Sequence, residues 1–368
     1  MNVLVIVPEF VTYGGTARFL ERLLELHLRQ GFRTTLLVPE EQRHGALCSL
    51  AQRYDAELVG ASNRINPRTP PFLTPLLDFA CIWPVVRSQR PDLIVVSTAE
   101  PGRMSVALYC PFPVLYILHS VPEQNFRLLP KLYLRVGAML HSRVMTVSHA
   151  AADAIAETMG IPRTRIRVVH NSVPAGGEQG VENKGKPVVL TAGHLVDYKN
   201  PWLWLDVARM VLAVYPEALF VWLGDGELLE SVRSKVRELS LEERILLPGY
   251  VENTSSWYQT ASVYLQPSRR ESHGIAVLEA MVHGLPCVVA DSGGMPESVL
   301  DGETGHVCPL SDPACFADRI KTLLYNPMLR IKMGSAGRLR AETCFSEALQ
   351  EEKILSLYKQ LVQHQAGS

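Results

Sequence analysis

Two series of short, unbroken apolar runs, divided by the stretch "VPAGGEQGVENKGKP" at residues 173–187, set what this chain can fold into. The first series is "VLVIVPE", "RTTLLVPE", "DLIVVST", "PVLYILH" and "SRVMTVS"; the second is "PVVLTAGH", "ALFVWLG", "RILLPGY", "SVYLQPS" and "PCVVADS". Runs of four to eight apolar residues without polar alternation predict strands buried on both faces. Amphipathic stretches, Arg18 to Leu28 and Trp202 to Val214, follow strands and predict helices, so strand and helix alternate. That grammar requires parallel strands joined by crossover helices. Residues 173–187 are rich in glycine and charge and have no apolar period, which predicts an interdomain linker. The expectation is therefore two open α/β sheets, residues 1–172 and 188–345. Ligands of such sheets bind at the carboxyl ends of the strands, here in the cleft expected between the domains. The final segment, 346–368, predicts a helix with apolar Leu349, Ile354, Leu357 and Leu361, a pattern that fits packing on either domain.

Composition narrows the function classes. With 368 residues, 47% hydrophobic and 20% charged, the chain can bury a core in each of two domains. Residues 1–180 carry 18 Lys and Arg against 14 Asp and Glu, leaving 18 against 23 for the rest. Surpluses this small exclude a nucleic-acid footprint, while the basic first half suits an anionic substrate or membrane surface. Seven cysteines, an odd number without paired spacing, point to a reducing cytoplasm rather than a disulfide framework. "MNVLVIVPEF" lacks the basic start of a cleavable signal and reads as a first buried strand.

"PFLTPLLDFACIWPVV" is 16 residues long with three prolines and Asp78, too short and too broken to cross a bilayer. Its flanks, Arg64, Arg68, Arg87 and Arg90, suit a helix lying on the inner, anionic face of a membrane; a core helix with solvated flanks is the alternative. "RLLPKLYLRVGAMLHSR", with Arg127, Lys131, Arg135 and Arg143, leaves the same choice between a lipid-linked or phosphate-bearing acceptor and an ordinary charged outer face.

The loops that follow the strands carry the chemistry. In "EFVTYGGTARFL", Gly14 and Gly15 allow close backbone approach, and Thr16 opens a helix whose free N–H groups favour an anion; a tight turn is the alternative. This is not the G-x-G-x-x-G fingerprint, and no acidic residue clearly closes the second strand in the dinucleotide-binding manner, Glu40 meaning little without the glycines, which disfavours a nicotinamide dehydrogenase. His119 ends a strand and is either structural or aimed at a ligand. "TAGHLVDYKNP" puts His194 and Lys199 on one loop, where Lys199 either neutralises a phosphate or is solvated. "GDGE", 224–227, reads as a turn.

"ESHGIAVLEAMVHGLP" is the most informative stretch. Gly274 to His283 predicts a helix, stopped by Gly284 and Pro286, with Glu271 in the loop above it. Ile275 and Val282 lie four before and three after Glu279, which predicts a glutamate on the apolar side of the helix, costly without a partner. A carboxylate can accept hydrogen bonds from both hydroxyls of a ribose, and sugar hydroxyls would suit Glu271 in the same way. "VVADSGGMPESV" adds Gly293, Gly294 and a helix start at Pro296, with Glu297 in its first turn, where it either meets a ligand or complements the helix dipole.

In this order, "GGTARFL", "LH" at 118–119, "VSHAAADAI", "VVHNSV", "TAGHLVDYKNP", "LPGYVE" and "ESHGIAVLEAMVHGLPCVVADSGGMPESVLDGETGHV" resemble the retaining, nucleotide-sugar-dependent glycosyltransferases of family 4. The resemblance implies the GT-B fold: two Rossmann-like parallel-sheet domains facing an interdomain cleft, the first binding acceptor, the second donor, the last helix crossing back to the first. Glu271 and Glu279 match the E-x7-E signature. By resemblance Glu279 grips the donor ribose and Glu271 sits beside the transferred sugar. His273, Gly274, Ile275 and Ala276 lie at the donor, and Gly193, His194 and Lys199 face its diphosphate. Gly14, Gly15, Thr16 and His119 belong to the acceptor side, Gly15 also touching donor phosphates and His119 the reacting sugar. His119, Glu271 and Lys199 are the catalytic expectation, and Gly293 with Glu297 matches a Gly-Gly-x-x-Glu turn.

Two positions depart from the family: His194 replaces the usual arginine and His273 the usual phenylalanine. The implied reaction moves a sugar from a UDP- or GDP-linked donor to a hydroxyl of a glycan, lipid-linked or small-molecule acceptor, in glycan, polysaccharide or glycolipid biosynthesis. No Asp-x-Asp triplet occurs, so neither a metal nor any cofactor beyond the co-substrate is expected. A non-catalytic sugar-nucleotide-binding subunit and a sugar-nucleotide epimerase of similar fold are the rival readings.

Overall fold

The computed structural model describes residues 1–8, 14–61, 73–98, 105–120, 128–140, 142–174, 176 and 186–366. The chain divides into two compact units, residues 1–170 with 351–368, and residues 171–350. Most of the expected linker at 173–187 lies outside the described residues.

In the first unit the strands are β1 (Asn2–Ile6), β2 (Arg33–Pro39), β3 (Glu57–Ala61), β4 (Leu93–Thr98), β5 (Val114–Leu118), β6 (Ser142–Thr146) and β7 (Ile166–Val168). They form one parallel sheet in the order β3-β2-β1-β4-β5-β6-β7. β1 shows why its sequence is apolar throughout. Successive side chains point to opposite faces, so Val3 and Val5 enter one core and Leu4 and Ile6 the other.

The first of these cores is covered by α1 (Gly15–Arg29) and α2 (Ala46–Arg53). The second is covered by α3 (Thr74–Gln89), α4 (Val106–Tyr109), α5 (Leu128–Met139) and α6 (His149–Met159). Ser148 caps α6 by accepting the Ala151 amide at 3.0 Å, and Gly160 ends it at φ 66°.

The second unit holds β8 (Val188–Ala192), β9 (Leu219–Leu223), β10 (Ile245–Gly249), β11 (Val263–Gln266), β12 (Cys287–Ala290) and β13 (Gly305–Cys308), in the order β10-β9-β8-β11-β12-β13. Its helices are α7 (Pro201–Leu212), α8 (Leu229–Glu238), α9 (Ser255–Thr260), α10 (Ile275–Val282), α11 (Met295–Ser298), α12 (Pro313–Tyr325) and α13 (Pro327–Cys344). Pro248 in β10 is tolerated because β10 is an edge strand. Trp204 and Trp222 are buried with their indole N–H groups donated to Thr191 Oγ1 and the Gly193 carbonyl, both at 2.8 Å.

The final helix, α14 (Glu347–Ala366), sends Ile354, Leu357, Tyr358 and Leu361 into the first unit's core beside α1. Tyr358 is anchored there by a buried relay, its hydroxyl 3.0 Å from His27 Nε2 and His27 Nδ1 3.0 Å from Thr34 Oγ1. Burial lowers the His27 pKa to about 3, so the ring is neutral.

β3, β7, β13, α12 and α13 are not signalled by the apolar runs. β7 is three residues long with Arg167 at its centre, too short to show a period.

Candidate active site

In the second sheet β9 and β10 lie on one side of β8, and the chain then returns to place β11 on the other. Such a reversal of strand order opens a crevice beyond the carboxyl ends of the two strands, because their loops leave in opposite directions. The loop after β8 carries Gly193, His194 and Lys199, and the loop after β11 carries Glu271.

These two loops are stitched together. Lys199 Nζ donates to Glu271 Oε2, with side-chain exposures of only 13% and 15%. Arg269 Nη1 donates to both Asp197 carboxylate oxygens at 3.0 and 2.8 Å, and the Arg269 amide to the Tyr198 carbonyl at 2.8 Å. Burial opposes the charge on Lys199, but the Glu271 carboxylate outweighs it and raises the pKa above its ordinary value.

Each loop is also braced from behind. Gly224 and Gly226, after β9, lie so close to the β8 loop that a Cβ on either would overlap the backbone of Gly193 or Leu195. Residues 224–226 of "GDGE" are irregular loop, the turn falling one step later at Glu227 and Leu228, and the two glycines let one loop support the next. Gly293, at φ 55°, does the same for Glu271, whose carbonyl a Cβ there would overlap. The Gly294 amide donates to that carbonyl at 2.9 Å, and Ser292 Oγ to the Arg269 carbonyl at 2.6 Å. The Gly-Gly turn after β12 therefore fixes the height of the Glu271 loop.

α10 begins directly below, with Gly274 at φ 84° as its N-cap. Its deeply buried residues are Val277, Leu278, Ala280, Met281 and Val282, while Ile275, Ala276, Glu279 and His283 form a half-buried stripe. Glu279 thus shares its side with Ile275, as expected, whereas Val282 lies with the buried residues. The helix is apolar nearly all round, so position along it does not identify the buried face. The partner required by Glu279 is Tyr258 of α9, which donates to its Oε2 at 3.0 Å. Tyr258 is itself buried, stacked on His283 at 5.2 Å between ring centroids. Nothing in "TSSWYQTAS" marks Tyr258 as such a partner.

Two of the expected donor contacts change character. His273 is fully buried, with Nε2 3.3 Å from Ser298 Oγ and its ring edge-on to Phe345 at 5.3 Å. Its side chain therefore fills an interior site and packs in the core. By sequence His194 is a titratable stand-in for a cation. Burial and the adjacent Lys199 ammonium lower its pKa, with Asp225 partly opposing, so at neutral pH it is an uncharged hydrogen-bonding ring.

In the first unit, Gly14 at φ 100° is the N-cap of α1, and Gly14 and Gly15 are exposed with Thr16 half-buried. His119 follows β5. Its Nε2 lies 2.9 Å from Ser97 Oγ, and Phe19 of α1 meets its ring edge-on at 4.7 Å. Burial lowers its pKa to about 4, so this histidine too is neutral.

Known proteins share this fold. Residues 177–340 match the family model for glycosyl transferases group 1, and residues 13–175 that for glycosyltransferase family 4. The chain belongs to the family 4 glycosyltransferases. Among its relatives, this glycosyltransferase is 27% identical over 239 residues to N-acetyl-alpha-D-glucosaminyl L-malate synthase of Bacillus anthracis, covering 61% of this chain and 60% of that one. It is 22% identical over 304 residues to UDP-Gal:alpha-D-GlcNAc-diphosphoundecaprenol alpha-1,3-galactosyltransferase of Escherichia coli, covering 76% and 78%. The matched stretch spans between 45% and 60% of the length of several other curated relatives and the malate synthase. Among solved structures, Anabaena Alr3699/HepE in complex with UDP superposes with a TM-score of 0.81 at 18% identity, covering 98% of this glycosyltransferase and all of that protein. The two parallel sheets are thus those of the GT-B fold.

Proposed function

We propose that this glycosyltransferase moves a sugar from a nucleoside-diphosphate donor, UDP- or GDP-linked, to a hydroxyl of a glycan or lipid-linked acceptor, with retention at the anomeric carbon. The observation that carries the reading is the Lys199–Glu271 pair at the strand-order reversal, with Glu279 held by Tyr258 on the helix below it. In this reading Glu279 accepts the two ribose hydroxyls and Tyr258 keeps its carboxylate in place. Lys199 and the first amides of α10 stabilise the diphosphate as the anomeric C–O bond breaks and negative charge gathers on the leaving oxygen. Glu271 is paired with Lys199 and sits where it can receive hydroxyls of the transferred sugar. The acceptor oxygen forms the new bond on the face the diphosphate leaves, and its proton passes to a leaving phosphate oxygen. The reading is supported by a relative named for a UDP-galactose donor and a diphosphoundecaprenol-linked acceptor, and by a structural neighbour solved with UDP.

The test is thermal stability of the purified protein against UDP, GDP, ADP, CMP and their sugar conjugates, followed by product analysis with and without acceptor. A ligand bound only to the folded state raises stability in proportion to its affinity. Stabilisation by one nucleoside diphosphate, with sugar transferred only when acceptor is present, is the expected result. No shift with any nucleotide would overturn the reading, stabilisation without transfer to any acceptor would move it to a non-catalytic sugar-nucleotide-binding subunit, and an altered sugar nucleotide without acceptor to an epimerase.

A further inference from the structure

α3, α4 and α5 are neighbours in one helical layer on the first sheet: Ile82 and Val86, Val106 and Ala107, and Leu134 and Ala138 all turn inward to the same core. Their opposite sides therefore point the same way, away from the sheet. That outer surface is unusually apolar. Leu76 is 65% exposed and Met139 60%, and Phe79 on α3 and Leu132, Val136 and Leu140 on or just after α5 are exposed as well. On α5, Leu132, Val136 and Met139 recur at four- and three-residue spacing, which makes a continuous stripe. Contiguous apolar surface of this kind on a folded protein marks a contact with something.

The charge on the same surface says what that something is. Between Thr74 and Gln89, Val106 and Tyr109, and Leu128 and Met139, the sole carboxylate is Asp78, which is fully buried and accepts the Ser105 hydroxyl. The cations are Arg87, Lys131 and Arg135 on the helices and Arg90 at the end of α3, and among the described residues no ion pair engages them. Two copies of this face brought together would set arginine against arginine with no carboxylate to answer it. A surface with an apolar interior and anionic head groups answers both features at once. No helix among the described residues is long and apolar enough to cross a membrane, so contact would be lateral.

We propose that the outer faces of α3 and α5 form a docking surface for an anionic lipid bilayer, with Leu76, Phe79, Leu132, Val136 and Met139 entering the head-group boundary and Arg87 and Arg135 pairing with lipid phosphates. The proposal depends on no assignment of donor or acceptor. It decides where the first unit meets lipid, a choice the sequence leaves open between a membrane surface and a solvated helix.

The experiment is co-sedimentation of the full chain with phosphatidylcholine vesicles, with and without phosphatidylglycerol, alongside Leu76→Ser/Leu132→Ser and Arg87→Glu/Arg135→Glu. All four positions are exposed, so the variants should melt as the parent does, and melting curves check this. The expected result is binding to vesicles that contain phosphatidylglycerol, weakened by salt and lowered roughly tenfold or more in either double variant. Absence of binding, or binding equal in parent and variants, overturns the proposal. A dimer of the parent in light scattering that the leucine variant dissociates also overturns it, by assigning the face to a second copy. Nucleotide binding, measured separately, is untouched by any of these outcomes.

Discussion

Lys199 and Glu271, 72 residues apart in the chain, meet as an ion pair that is largely withdrawn from water. The pair exists because β8 and β11 are neighbours in the sheet although two strands separate them in sequence. Its position at the reversal of strand order makes the two side chains one unit, and their variants should behave alike.

Lys199→Ala and Glu271→Gln are each expected to lower kcat by about 10²–10³, the usual cost of removing a group aimed at developing charge. Steady-state kinetics at saturating donor measures this. A variant that raised only the donor KM would show that its residue binds the ground state and does no more.

Tyr258→Phe removes the hydroxyl that holds Glu279 without disturbing the buried ring. Donor affinity should fall by about tenfold, the worth of one hydrogen bond to a charged group, with kcat little changed. Isothermal titration with the stabilising nucleotide reads this directly, and Glu279→Ala should make the Tyr258 change silent, because the two act through one contact.

Gly293 and Gly302 form an internal comparison, since both have positive φ but only Gly293 is crowded by backbone. Gly302→Ala should cost about 1–2 kcal/mol from left-handed strain alone. Gly293→Ala should cost more and also impair donor binding, because the Glu271 loop must move. Equal losses of melting temperature and no effect on donor affinity would remove Gly293 from the support of the site.

The buried His27 makes stability depend on pH. Its folded pKa is lowered to about 3 from an ordinary 6.5, so between these values the unfolded chain binds the proton and the folded one does not. Stability is fully present above pH 6.5 and falls as pH drops toward 3, with a slope of about 1.4 kcal/mol per pH unit for this group. His119, lowered to about 4, acts in the same direction. Chemical denaturation between pH 7 and about 5, above most carboxylate titration, should show a shallower dependence in His27→Gln.

Ile354→Ala in α14 should destabilise the first unit by about 2–5 kcal/mol, as for other large-to-small changes in a core. Hydrogen exchange would show the loss in β1, β2 and α1 and not in the second sheet, because Ile354 belongs to the first core.

By itself the sequence determined the strand–helix alternation, the two parallel sheets it requires and the E-x7-E pair, because these rest on local period and spacing. Apolar runs such as "VLVIVPE" can be buried only on both faces, and the residues at their ends must be loops. Tertiary structure alone decided the partners. Periodicity states which residues avoid water and leaves open what covers them: α14 fits either sheet by its pattern, yet its core residues belong to the first. His273 lies two residues from Glu271 in sequence, yet its ring turns inward to Ser298 and Phe345. Tyr258 became the partner of Glu279 through the packing of α9 against α10, a contact with no local signature. Lys199 reached Glu271 through strand order, which is set by long-range pairing between strands and leaves no trace in the residues that it brings together.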